Sequence, residues 1–157
     1  MRRTEYEVSE KDRIIEFLKK NNTIRVAFGT DRAPYIVPLS YGFDYDDILV
    51  FYFHGAPEGR KVDLISKKTL VGFEIDNVGE VKSAEQACNF SLGYESIIGE
   101  GCIFEVESPS EKAHCLNRIM YQFSGKDQWE YPEKMIEKTA VFKLLVGEFS
   151  MKSHEMV

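Results

Sequence analysis

The tightest constraint on the fold is a run of alternating stretches between residues 23 and 54, joined by very short connections. In "TIRVAFGT", Ile24, Val26 and Phe28 alternate with Arg25, Ala27 and Gly29, the period of a half-buried strand. "DRAP" turns the chain, "YIVPLSYGFD" reads as a second strand interrupted by Pro38, "DYDD" turns it again, and "ILVFYFH" is a third strand. Connections this short join antiparallel neighbours, since a parallel pair needs a long crossover. "DYDD" therefore reads as a solvated turn rather than as paired catalytic acids. Proline cannot donate to a ladder, so Pro38 marks an edge, a bulge or a place where a ligand replaces the ladder.

The pattern continues downstream. "TLVGFEID" alternates again, and a loop with Asn77 and Gly79 follows it. "SLGYESIIGEGCIFEVES" is long enough for one bent strand or two shorter ones, with Gly99 and Gly101 at the bend. "TAVFKLLVGEFSMKS" is the last strand. Helical stretches stand between them. "SEKDRIIEFLKK" is capped by Ser9 and presents Ile14, Ile15, Phe17 and Leu18 as one stripe. "RKVDLISK" is a short helix, and "YPEKMIEK" offers another helical turn. "SPSEKAHCLNRIMYQF" has Pro109 at its first position, a capping box of Ser108 and Glu111, and Ala113, Leu116, Ile119 and Met120 toward the core. The expected fold is mainly β (α+β): about six or seven antiparallel strands closed into a small barrel with flanking helices, as one domain over residues 1–157.

Composition narrows the function. A net charge of −6 argues against nucleic acid as the main partner. No apolar run approaches a membrane span, and the charged N-terminus "MRRTEYEVSEKDR" has no secretion-signal core. Cys88, Cys102 and Cys115 are widely spaced, which suits free thiols in a cytoplasmic protein and offers no zinc pattern. His114 and His154 share no ligand spacing with His54. No nucleophile elbow is present, and the glycines of "GEG" lack the context of a dinucleotide fingerprint.

One segment draws attention: "FYFHGAPEGRK", where a strand hands over to a helix. Arg60 and Lys61 there are either a solvated basic pair or an anion site, with Gly55 and Gly59 admitting close backbone approach. Cations at a helix start are mildly unfavourable unless an anion joins them. His54 is a ligand contact, a proton donor near an acceptor, or a strand end bonded to backbone. Tyr52 and Phe53 fit a place beside a ligand or an ordinary core. Glu95 reads as an exterior strand residue, and Trp129 and Tyr131 as core or dimer packing.

In order, "PYIVPLSYGF", "LVFYFHGAPEGRKVDLI", "VGFEID" and "YESIIGEG" resemble the nitroimidazole-resistance group of flavoproteins, within the pyridoxamine 5′-phosphate oxidase-like FMN-binding split barrels. The resemblance spans roughly residues 10 to 150. It implies an antiparallel split β-barrel and a homodimer, with an FMN in each cleft between subunits and electrons passing from reduced FMN to a small acceptor such as a nitroaromatic. NADH, NADPH or a protein would be the donor. It further implies that the backbone of Val37, Pro38, Leu39 and Ser40 holds the ring, that Gly59, Arg60 and Lys61 hold the phosphate, and that His54 faces the pocket with Tyr52 and Phe53 nearby. Ser96 and Ile97, with Tyr94, would reach the ring, from the partner subunit in one arrangement. Related split barrels bind haem or a deazaflavin, so a flavin- or haem-binding module without turnover (a carrier, sensor or storage protein) is the alternative.

Overall fold

The computed structural model describes residues 4–65 and 68–154. Eight strands and four α-helices follow in the order β1 (Glu7–Val8), α1 (Lys11–Lys20), β2 (Thr23–Phe28), β3 (Tyr35–Ser40), β4 (Gly42–Tyr45), β5 (Leu49–Gly55), α2 (Arg60–Ile65), β6 (Thr69–Lys82), β7 (Ser91–Glu105), α3 (Pro109–Ser124), α4 (Glu133–Lys138) and β8 (Ala140–His154). Short 3-10 turns lie at Thr4–Tyr6 and Ala87–Asn89. Every pairing is antiparallel, in the order β3-β2-β6-β7-β8-β5-β4, with β1 added beside β8.

The stretch "YIVPLSYGFD" is two strands rather than one. β3 ends the sheet at one edge and β4 ends it at the other, yet only Tyr41 separates them in sequence. The chain thus ties the two edges together and makes the sheet a split barrel. Two residues make this corner possible. Tyr41 is fully buried, donates its hydroxyl to the Leu18 carbonyl at 2.8 Å, and meets Phe51 edge-on with centroids 5.3 Å apart. Gly42 packs directly under the α3 backbone at Arg118 and Ile119, where a Cβ has no room.

The barrel interior follows from the alternation. Ile24, Val26 and Phe28 of β2 are all fully buried, and with Phe17, Phe51, Phe53, Phe73, Ile75, Ile97 and Phe142 they form one core. Each such side chain contributes roughly 1.5–3 kcal/mol of burial. A smaller core (Tyr52, Val106, Cys115, Ile119 and Val141) lies between α3 and the outer faces of β5 and β8. Leu116 packs at its margin, whereas Ala113 and Met120 are only partly covered. The β7–β8 ladder slips register between Glu100 and Gly101, where Gly101 lies against the Leu145 carbonyl, so the glycines do mark a bulge.

Several local expectations need correction. Helix α1 starts at Lys11 with Glu10 at its cap position and no side-chain cap, leaving Ser9 outside. Ser108 does precede α3, but it caps nothing: its hydroxyl meets Ser110, and Glu111 pairs with Lys143 at 2.9 Å instead. Asn77 and Gly79 belong to β6, which absorbs an irregularity between Val78 and Val81 and runs on to Lys82. Asp44 lies in β4, not in a solvated turn, and accepts from Tyr52, His114 and Arg118 at 2.9, 3.2 and 2.6 Å. The helix expected over "RKVDLISK" is seen through Ile65, and positions 66 and 67 lie outside the described residues. Among the described residues no helix is long and apolar enough to cross a membrane.

Candidate functional site

Strand β5 delivers His54 and Gly55 to one end of the barrel, opposite Val141 and Ala140 of β8. The chain then turns through "APEG" and enters α2. Gly59 makes that entry with φ of +118°, a conformation suited to glycine, and its carbonyl receives the Asp63 N–H at 3.1 Å. Arg60 and Lys61 therefore start the helix directly beside the strand end.

Their surroundings are unusual for cations. The Lys61 ammonium lies over Gly55, occupying the space where a Cβ would stand, and 5.2 Å from the Phe142 ring centroid. It is partly withdrawn from water, and this burial lowers its pKa from the ordinary lysine value. The Arg60 guanidinium stacks on Tyr35, the first residue of β3, at 4.4 Å. Among the described residues neither cation has a carboxylate partner. His54 stays solvent-accessible, but its pKa is lowered, first by partial loss of water and then by the Lys61 charge. Two cations and an imidazole thus converge with no carboxylate paired to the cations among the described residues. In a chain of net charge −6 that is a local reversal of the overall balance.

Tyr35 links this basic cluster to β3. Among the described residues that strand pairs with β2 only, so backbone groups on its other side are available to a ligand. Pro38 stands opposite Arg25 on this edge strand, where the missing N–H costs no second ladder. The side chains of Val37 and Leu39 pack inward on the core, and those of Pro38 and Ser40 face out.

The remaining predicted site residues fall elsewhere. Tyr52 is buried beneath α3 with its hydroxyl on Asp44, and Phe53 is fully buried in the barrel, so both side chains serve the core. Ile97 is also a core residue. Ser96 faces outward opposite Lys152, near the far end of β8 from the His54 pairing. Within one chain, then, Ser96 and Ile97 are not brought to the basic cluster. Glu95 is not exterior: it is 4% exposed and held by Arg13 at 2.9 Å and Ser153 at 3.3 Å. A carboxylate facing inward at this depth needs such a partner, and α1 supplies it across the barrel end. Trp129 is 38% exposed and sits outside both cores, in a loop pinned through Asn117, which also accepts the Tyr131 hydroxyl. A hollow of about 710 Å³ lies at this loop, remote from the basic cluster in sequence and lined by none of its residues. The partners Tyr35 and Phe142 were invisible to spacing arguments, because both reach the cluster from strands distant in sequence.

Comparisons with known proteins bear on this geometry. Among curated proteins none matches the sequence. Of solved structures, a protein from Bacteroides thetaiotaomicron assigned to 5-nitroimidazole antibiotic resistance is similar at 26% identity and a TM-score of 0.79, over 94% of this chain and 86% of that one. An FAD and heme binding protein from Mycobacterium smegmatis is similar at 17% identity and a TM-score of 0.81, over 96% and 74% of the two chains. A flavocytochrome from Azotobacter vinelandii matches at 19% and 0.78, over 95% and 69%. The last two establish shared architecture only. The family model described as pyridoxamine 5′-phosphate oxidase matches residues 10–153, nearly the whole barrel and its helices, and on that match the chain belongs to the pyridoxamine 5′-phosphate oxidase family.

Proposed function

We propose that the chain binds FMN and, as a homodimer, passes electrons from a reduced nicotinamide donor to a small acceptor, with nitroaromatics as the favoured class. The observation that carries this reading is the partly buried Lys61 ammonium beside Arg60, two cations with no carboxylate partner among the described residues. A phosphate would supply the missing charge, and cation–phosphate hydrogen bonds are among the stronger polar contacts. Recognition rests on these side chains and the backbone freed by Gly59 rather than on the dipole of α2, which has only six residues. The outer edge of β3, over Val37 to Ser40, would give backbone donors and acceptors to the pyrimidine side of the ring. Neighbours of the same architecture include proteins named for FAD, heme and 5-nitroimidazole resistance, which supports a flavin, with haem as the alternative.

FMN, when bound, supplies the redox chemistry, taking a hydride and giving up electrons singly or in pairs. The protein's share is to bind, orient and manage protons. Partial desolvation, and then the Lys61 charge, lower the pKa of His54, and its ring would relay a proton between solvent and an acceptor that takes up protons with electrons. Arg60, stacked on Tyr35, keeps its fork fixed for a phosphate oxygen.

The test begins with the purified protein's spectrum. Stoichiometric FMN, released on denaturation and bleached anaerobically by NADH or NADPH, is the expected result. A colourless protein that takes up no added FMN would contradict the proposal, and a Soret band would replace it with a haem-binding module. Flavin that no nicotinamide donor reduces would leave a binding protein without this turnover.

A further inference from the structure

The end of β5 and the start of α2 share one electrostatic field. His54 and Gly55 finish the strand, and Lys61 folds back from the helix until its ammonium stands 2.7 Å from where a Gly55 Cβ would be. Packing on Gly55 and the Phe142 ring, rather than an ion pair, holds this cation beside the residue that follows His54. Arg60 lies next to it in the chain, stacked on Tyr35.

The other groups around His54 do not offset these charges. Across the ladder stands Val141 of β8, which is apolar. Two residues further along β8, Lys143 is paired with Glu111 of α3 at 2.9 Å. Lys112 of α3 turns its ammonium to the Thr139 carbonyl at 2.9 Å. Glu58 in the turn and Asp63 on α2 are exposed, and among the described residues neither forms an ion pair with Arg60 or Lys61. Protonating His54 in the flavin-free protein therefore adds a third positive charge to two that no carboxylate balances. Its lowered pKa agrees, with partial desolvation the larger cause and the Lys61 charge the second.

A phosphate dianion on Arg60 and Lys61 changes this sum. It balances both cations, so the repulsion that opposes imidazolium goes. Cover by a ligand takes further water from the ring, which acts the other way. A double negative charge in contact with the neighbouring side chains outweighs that loss, because His54 stands at the solvent-accessible end of its strand.

We infer that FMN enters this seat together with a proton, which is held on His54. This rests on the flavin reading above. It gives cofactor binding and proton handling a single cause: the flavin-loaded protein carries a proton at His54 for an acceptor, and the flavin-free protein does not. The coupling is reciprocal, so a protonated His54 tightens FMN binding by the same factor by which FMN tightens the proton.

NMR titration of the parent protein over about pH 5 to 8.5 tests it, with the His54 ring assigned through its own backbone. Saturating FMN, judged by fluorescence quenching, should raise the His54 midpoint by about one unit above that of flavin-free protein. Riboflavin, which has the ring but no phosphate, should leave it unchanged. Affinity gives a second readout. As the pH falls across this range, FMN binding by the parent should gain about tenfold over binding by His54→Gln, the factor equivalent to one unit. Ionisation of the phosphate itself is common to both proteins and cancels in that ratio. A midpoint that bound FMN leaves unmoved or lowers would overturn the inference. So would an equal rise with riboflavin, which would place the cause in the ring, or an affinity ratio that is flat with pH. Failure of the parent to bind FMN at any pH would instead refute the flavin reading itself.

Discussion

His54, Arg60 and Lys61 act as a set because each alters the others. The Lys61 ammonium has given up part of its hydration to lie over Gly55 and Phe142, and its charge adds to the desolvation that already disfavours imidazolium at His54. The sign is definite. A folded-state pKa below the unfolded value means the folded protein binds its proton less readily, so His54 favours folding above the ordinary histidine range and disfavours it as the pH falls through that range. NMR titration of the His54 ring in flavin-free protein should give a midpoint below 6.5, its ordinary value. Lys61→Met should move that midpoint upward, though only in part, because burial is the larger cause. A midpoint at or above 6.5 in the parent would contradict this account of the cluster. Much of the cluster was legible in "FYFHGAPEGRK", since residues adjacent in sequence stay adjacent in space. What was not legible is which side chains lie beneath it: Tyr35 and Phe142 arrive through sheet pairing. Glu95 went astray for the same reason, because its covering Arg13 is supplied by α1, 82 residues away.

Among the elements, the corner between β3 and β4 matters most. A strand pattern of period two predicts extended chain, but it does not say that the chain changes edges at Tyr41. The alternation over "YIVPLSYGFD" continues through the corner, which is why one strand was expected where there are two. Gly42 is the physical sign of the change, since the α3 backbone crosses where its side chain would be. Gly42→Ala should therefore cost about 1–3 kcal/mol or more, the range for overpacking against atoms that cannot rotate away. Chemical denaturation at unchanged m-value would read this directly, and a loss below half a kcal/mol would mean that α3 yields easily. Capping was overread from sequence for a related reason. Ser9 and Ser108 have the right identity, but Glu111 finds Lys143 across the α3–β8 contact and leaves the box unmade. At the C-terminus of α1 the carbonyls of Leu18 and Asn21 are instead met by Gln122 of α3, at 2.8 and 2.7 Å.

At the scale of the whole molecule, the barrel class could be read from alternation and short turns, and the family from the order of four motifs. The division of the site could not. The basic cluster and the β3 edge lie together, while within one chain Ser96 and Ile97 occupy a different part of the sheet. The proposed function depends on the premise that Arg60 and Lys61 hold a phosphate. The most direct measurement is the FMN dissociation constant of Arg60→Ala with Lys61→Ala, beside that of the parent, with thermal unfolding as a check on the fold. Loss of two charge-assisted contacts should weaken binding about a hundredfold or more while the melting transition of the flavin-free protein is preserved. Equal FMN affinity in the two proteins would contradict the account at its centre.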